Sequence, residues 1–283
     1  METMKNKVCV VTGATSGIGK VAAQVLAARG ATVVLVSRTQ EKGELTLEEV
    51  RREGGGDSVE LVVSDLSSLA ETRKLASEIR SRYDRIDVLM NNAGGINQAF
   101  VPTVEGFETT WAVNHLSHFL LTHLLLDMLK ASDAARVINV SSQAHHVGRI
   151  HFDDPGLRSK YNPMKAYAQS KLANVLFTYE LERRLDSAPI TVNALHPGTV
   201  DTGFGKNLNG VAGFFFKSCG FMMRSPEHGA RTMIWLATDP GLEGVTGKYF
   251  LDCKPIRSSA LSHDEVIARR FWDLSARQTG VGE

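Results

Sequence analysis

Tyr167 and Lys171 stand four residues apart in Tyr167-Ala168-Gln169-Ser170-Lys171, followed by Leu172, Val175, Leu176 and Tyr179 at helical spacing. On a helix the two side chains share one face, which brings a phenol beside an ammonium. A free tyrosine loses its proton near pH ~10, and a neighbouring positive charge favours the phenolate. The pair therefore predicts a general acid/base with a lowered pKa, of the kind that carbonyl–alcohol interconversion requires. Tyr and Lys also meet at this spacing by chance on ordinary helices, so the elements that would position them must decide.

The first such element is a short apolar strand, Val8-Cys9-Val10-Val11, that runs into Thr12-Gly13-Ala14-Thr15-Ser16-Gly17-Ile18-Gly19 and then a helix marked by Val21, Ala22, Val25, Leu26 and Ala28. Glycines between a strand and a helix let backbone approach a pyrophosphate, whose charge is met by N–H groups at the helix N-terminus. The second strand, Thr32 to Val36, exits through Ser37-Arg38-Thr39. An acid near this point would hold the ribose hydroxyl of NAD, whereas an arginine suits the 2′-phosphate of NADP. Arg38 with no acid beside it points to NADP(H); the alternative is a solvated strand-end arginine.

Further strands are expected at Val59–Val63, which leads into Ser64-Asp65-Leu66, and at Ile86–Met90, which ends in Asn91-Asn92-Ala93-Gly94-Gly95. A long helix is expected over about 105–130, and a buried Asn114 within it would need a special backbone or water arrangement. His115, His118 and His123 do not share a helix face and no acid or cysteine completes a ligand set, so no metal is expected. The fifth strand, Arg136–Val140, delivers Ser141-Ser142 to the edge where open α/β sheets bind ligands. A sixth, Ile190–Leu195, precedes His196-Pro197-Gly198-Thr199-Val200-Asp201-Thr202. Ser225 with Pro226 starts another helix, Gly247–Phe250 supplies the last strand, and Ser262 with Glu265 has the spacing of a cap on the terminal helix.

Seven strand-like runs alternating with helices predict one α/β domain over 1–283, a doubly wound parallel sheet with helices on both faces. The 283 residues are 43% hydrophobic and 22% charged, and 32 basic residues balance 31 acidic ones, so no field draws nucleic acid or an anionic membrane. Cys9, Cys219 and Cys253 are too scattered for a zinc site or a disulfide framework. The N-terminus enters a strand almost at once, and no apolar run reaches the ~18 residues of a membrane span. A cytoplasmic protein with a small-molecule partner is the expectation.

The threonine-led Gly-x-x-x-Gly-x-Gly turn, Asn91-Asn92-Ala93-Gly94, Tyr167 with Lys171, and the Pro197-Gly198 segment together resemble the short-chain dehydrogenase/reductase family, from about Lys7 to Tyr249. Asn114-His115-Leu116-Ser117-His118-Phe119, Ser141-Ser142-Gln143-Ala144-His145-His146, Ser170-Lys171-Leu172-Ala173-Asn174 and His196-Pro197-Gly198-Thr199-Val200 are similar to its retinol dehydrogenase-like branch. The resemblance implies a Rossmann-type fold and hydride exchange between a nicotinamide and an apolar alcohol, aldehyde or ketone. It assigns Tyr167 as acid/base, Ser142 rather than Ser141 as the group that polarises the substrate oxygen, Lys171 to the nicotinamide ribose and Asn114 to a proton-relay water. The cofactor residues it implies are Gly13, Thr15, Ser16, Gly17, Ile18, Gly19, Arg38, Asp65, Leu66, Asn92, Ala93, Gly94, Tyr167, Lys171, Pro197, Gly198, Val200 and Thr202.

Departures from the family pattern leave alternatives open. The stretch from Ser142 to Tyr167 is longer than in compact members, and residues 145–154 could wall the substrate site or form a surface loop. The apolar segment at about 203–225 reads as a substrate lid, a small core helix, or a patch for peripheral membrane or partner contact. Many members of this branch carry an N-terminal anchor, which the residues before Val8 do not lead one to expect here. Double-bond reduction on the same scaffold, or cofactor binding without turnover, remain other readings. The family often dimerises through the long helices before and within the catalytic segment, so a homodimer is an open expectation.

Overall fold

β1 (Val8–Thr12), β2 (Thr32–Ser37), β3 (Val59–Val63), β4 (Val88–Asn91), β5 (Ala135–Val140), β6 (Ile190–Leu195), β7 (Lys248–Leu251) and β8 (Lys254–Ile256) form one sheet in the order β3-β2-β1-β4-β5-β6-β7-β8. These bounds come from a computed structural model that describes residues 3–54, 58–185, 188–200 and 224–282. β1 to β7 are parallel, with Val10 opposite Val34 on one side and Leu89 on the other. Their continuous apolar runs reflect burial on both faces: along β1, Cys9 and Val11 join one core cluster and Val10 the other.

The helices are α1 (Gly17–Ala28), α2 (Gln40–Gly54), α3 (Leu69–Arg82), α4 (Thr109–Trp111), α5 (Ser117–Leu124), α6 (Leu126–Lys130), α7 (Pro163–Arg184), α8 (Pro226–Thr238) and α9 (Glu265–Thr279). α1, α2 and α8 cover one face of the sheet; α3, α5, α7 and α9 cover the other. Because β2 and β3 lie to one side of β1 and β4 to the other, the strand order reverses between β1 and β4, which opens a crevice beyond their carboxyl ends.

Three local features differ from the sequence reading, and one expected feature takes a definite form. The eighth strand is an antiparallel edge, joined to β7 by Asp252 and Cys253, both at positive φ (50° and 58°). Such a two-residue turn usually signals itself by Asn or Gly, which are absent here. The long helix starts at Thr109 rather than near Glu105, because Glu108 caps it by accepting from Thr110 N at 2.9 Å and Trp111 N at 2.8 Å. Glu105 instead accepts from Leu69 N at 2.8 Å at the start of α3, a favourable place for a carboxylate. Residues Ala112–Leu116 form a π-helical turn, a special backbone arrangement of the kind expected at Asn114. Lastly, α9 is capped by Asp264, which accepts from Val266 N and Ile267 N at 3.0 Å, while Ser262 bonds back to Ser259 O at 2.6 Å.

α9 packs along α7 through Trp272, whose ring meets Phe119 and Phe177 with centroids 4.8 and 6.0 Å away, and Arg184 lies 4.5 Å over its face.

Asp87, beside the first residue of β4, joins sheet to loops: it accepts from Val8 N at 2.8 Å, Lys7 Nζ at 3.0 Å and Ser132 Oγ at 2.8 Å. Burial alone would raise its carboxyl pKa; those three donors outweigh it and hold the group below its ordinary value. With the folded pKa lowered, its stabilisation is present above the unfolded value and is lost as pH falls through the folded one. Asp87→Ala is expected to cost about 2–4 kcal/mol at neutral pH, read as a lower urea midpoint, because it removes a buried acceptor and orphans the buried Ser132 hydroxyl and the partly buried Val8 N–H.

Candidate active site

A cleft of about 750 Å³ crosses the carboxyl ends of the central strands. Thr12 builds its floor: its hydroxyl donates to Met90 O at 3.0 Å and accepts from Asn92 N at 2.9 Å and Ala93 N at 3.0 Å. Asn92 Nδ2 returns a bond to Thr12 O at 2.8 Å. Gly13 (φ 65°) could not carry a side chain, since a Cβ would come within 2.8 Å of Ala93 Cα. The glycine turn and the Asn-Asn-Ala-Gly strand end are therefore one packed unit.

Gly13, Thr15, Ser16, Gly17, Ile18 and Gly19 line the cleft at the start of α1. That N-terminus has no acidic residue in its first turn, and Ser16 makes no side-chain cap bond, so its N–H groups remain available to an anion. Arg38, Asp65 and Leu66 line the end of the cleft beyond β2 and β3, and Asn92, Ala93 and Gly94 its middle. Asp65 accepts from Ser67 N at 2.9 Å, which leaves it a turn residue as well as a lining one. Pro197, Gly198 and Val200 form the wall after β6, with Gly198 at φ 84°. Thr202, and the lid segment except Arg224 and Ser225, lie outside the described residues.

At the other end, α7 presents Tyr167 and Lys171 to the cleft, and β5 presents Ser141 and Ser142. The Ser141 hydroxyl is spent on Lys171 O at 2.8 Å, whereas Ser142 Oγ accepts from Ala144 N at 3.2 Å and bonds the Tyr167 side chain. Lys171 is buried and donates to Val140 O at 2.9 Å, with Nζ 5.6 Å from the centre of the Tyr167 ring. Asn114 does not line the cleft. Within the π-helical turn its Oδ1 accepts from Gly95 N at 2.8 Å, and its Nδ2 donates to Gly95 O and Ser170 Oγ, each at 2.9 Å. A Cβ on Gly94 would sit 3.3 Å from Asn114 Oδ1 and 3.4 Å from Lys171 Nζ, so a side chain there would press on the Asn114 amide.

Burial pushes the Tyr167 phenol up to about 12 against the opposing bond with Ser142, and pulls the Lys171 ammonium down to about 8. The structure does not bear out the lowered tyrosine pKa expected from the Tyr–Lys pairing: desolvation dominates. At neutral pH the tyrosine therefore holds its proton, as a proton donor must. His115 and His118 are neutral core residues, each pulled down to about 3 by burial; His115 bonds Ser275 Oγ at 2.8 Å.

Several lining residues escaped the sequence reading. Lys42, one turn into α2, joins Arg38, and Asp65 is the sole carboxylate among the described lining residues. Ile96, Val113, Ala144 and Met164 surround the end near Tyr167 with apolar surface. Lys42 could have been found from its place in the first turn of the helix after the arginine.

The glycine cradle, open helix N-terminus and paired cations suit a phosphate-bearing dinucleotide. Residues 7–211 match the family model described as short chain dehydrogenase. Human retinol dehydrogenase 11 is 43% identical over 278 residues, 98% of this chain and 87% of that protein. Human retinol dehydrogenase 13 is 44% identical over 286 residues, covering 99% and 86%. Among solved structures, an uncharacterized protein from Mycobacterium Paratuberculosis superposes with a TM-score of 0.80 at 34% identity, over 99% of this chain and 96% of that one. The Pseudomonas aeruginosa RhlG/NADP active-site complex does so with 0.70 at 28% identity, over 88% and 95%. The chain thus belongs to the short-chain dehydrogenase family, in its retinol dehydrogenase-like branch, as an oxidoreductase of alcohol and carbonyl groups that works with a nicotinamide cofactor.

Proposed function

We propose that the protein is an NADPH-dependent reductase of apolar aldehydes or ketones, retinal-like in character, able to run the reverse alcohol oxidation. The observation that carries this reading is the polarity of the cleft: Arg38 and Lys42 at one end, and protonated Tyr167 among apolar residues at the other. A 2′-phosphate suits the two cations. Ile96, Val113, Ala144 and Met164 favour a greasy substrate over a sugar or hydroxy acid. The 43% identity to a retinol dehydrogenase is in accord with such a substrate.

A bound nicotinamide supplies or accepts the hydride. In reduction, the Tyr167 hydroxyl gives its proton to the substrate oxygen as negative charge develops there, and Ser142 Oγ donates a hydrogen bond to the same oxygen. Lys171, anchored on Val140 O, holds the ribose and presents positive charge beside Tyr167. Asn114 fixes Gly95 and the π-helical turn next to Gly94, and orders water leading from Lys171. Among the described residues no helix is long and apolar enough to cross a membrane.

The test is NADPH consumption by purified protein against a panel of apolar aldehydes and ketones that includes all-trans-retinal, with NADH and hydrophilic carbonyls in parallel. Turnover confined to NADPH and apolar carbonyls is expected; equal rates with NADH, or a preference for hydrophilic carbonyls, would count against it. The Lys171 charge is present below about pH 8 and lost above. The kcat/KM for reduction is therefore expected to fall as pH rises through about 8, while Tyr167 stays protonated. A profile flat to pH 10 would remove the charged lysine from the mechanism.

A further inference from the structure

His145 is wholly buried three residues beyond Ser142, in the 3₁₀ turn Gln143–Val147 that leaves β5. Its Nδ1 lies 2.7 Å from the carbonyl oxygen of Ser142, and its Nε2 accepts from Ser259 N at 3.0 Å. A carbonyl on one side and an N–H on the other admit one tautomer: Nδ1 carries the proton and Nε2 the lone pair. Protonating Nε2 would set two donors against each other, and burial already pulls the ring down to about 4. The ring is fixed further by Tyr249, whose hydroxyl lies 3.3 Å from Nδ1 and whose ring centre lies 4.7 Å away.

The anchor on the far side of His145 is tied to the helix that bears Tyr167. Ser258 Oγ, next to Ser259, meets Tyr179 Oη at 2.7 Å and Ser262 Oγ at 2.8 Å, and Tyr179 lies three turns along α7 from Tyr167. A chain of buried hydrogen bonds thus runs from the Ser142 carbonyl through His145 and residues 258–259 to α7. Ser142 itself is extended (φ −159°, ψ 158°) at a strand end, where its peptide orientation decides where its hydroxyl points. Among the described residues, the other donor to its carbonyl is His145 N, at a longer 3.1 Å.

We infer that His145 is a positioning residue for the carbonyl-reduction chemistry: its Nδ1–H fixes the Ser142 peptide so that the Ser142 and Tyr167 hydroxyls converge on one substrate oxygen. This role rests on the proposed function of Ser142. Displacements of about 1 Å at such a site can cost about 10²-fold in rate.

Two isosteres separate the halves of the ring. Asn places an amide N–H near the position of Nδ1, and Gln places an amide oxygen near Nε2. His145→Asn, His145→Gln and Ser142→Ala are compared with the unsubstituted protein for kcat and KM with all-trans-retinal, NADPH Kd by fluorescence, and Tm. Both His145 variants are expected to melt lower, since each leaves one buried group unpartnered. His145→Gln is expected to lose about tenfold or more in kcat with NADPH Kd unchanged, and His145→Asn to recover kcat to within about threefold. Full activity in His145→Gln, or kcat falling in step with Tm in both variants, would overturn the role while leaving the function of Ser142 intact if Ser142→Ala is impaired. Full activity in Ser142→Ala, or an unsubstituted protein inert to the carbonyl panel, would overturn the functional reading and this role with it.

Discussion

Tyr167→Phe is expected to lower kcat for carbonyl reduction by about 10²–10⁴-fold while NADPH Kd stays within about threefold of its original value. The substitution removes one oxygen from a side chain that is 9% exposed, so the packing of α7 is kept and the proton donor is lost. Neither neighbour can replace it. Lys171 Nζ is anchored on Val140 O and serves the ribose in the proposed mechanism, and Ser142 is a far weaker acid whose role is to donate a hydrogen bond. Stopped-flow kinetics with NADPH and all-trans-retinal, paired with a fluorescence titration of NADPH, separate loss of chemistry from loss of binding. Activity within threefold of the original would remove Tyr167 from the proton transfer.

Replacing both cations at the far end of the cleft, Arg38→Ala with Lys42→Ala, is expected to raise KM for NADPH by about 10²-fold and to leave KM for NADH within about threefold. Two charge-assisted contacts worth about 1.4 kcal/mol each multiply to that factor. Both side chains are exposed, so the loss should shrink as ionic strength rises. Either single substitution should account for about half of it on a logarithmic scale. An equal rise in both KM values would mean that the pair shapes the cleft without selecting the 2′-phosphate.

Much of this was legible in the sequence because the determinants are local. The strand cores are unbroken apolar runs, the glycine turn follows β1 directly, and Tyr167 and Lys171 share a helix face by spacing alone. All the cofactor residues expected from the resemblance line one cleft, except Thr202, which lies outside the described residues. What escaped depends on partners distant in the chain. Glu105 leaves the helix it was expected to start because the open N-terminus of α3 recruits it. His145, readable as a loop histidine, is buried by Ser259 and Tyr249 from the end of the chain. The tyrosine pKa was misjudged for the same reason: spacing shows that a lysine is near, but not that its ammonium donates to Val140 O and that burial raises the phenol.

The measurement that bears most directly on hydride exchange at a carbonyl uses NADPH deuterated at the transferable position. The protein turns over this cofactor with an apolar α,β-unsaturated aldehyde such as all-trans-retinal, and the product is read by mass spectrometry and NMR. One deuterium on the former carbonyl carbon of an intact polyene alcohol is the expected result. Deuterium on a carbon of a reduced double bond, or tight NADPH binding with no transfer to any acceptor in the panel, would contradict it.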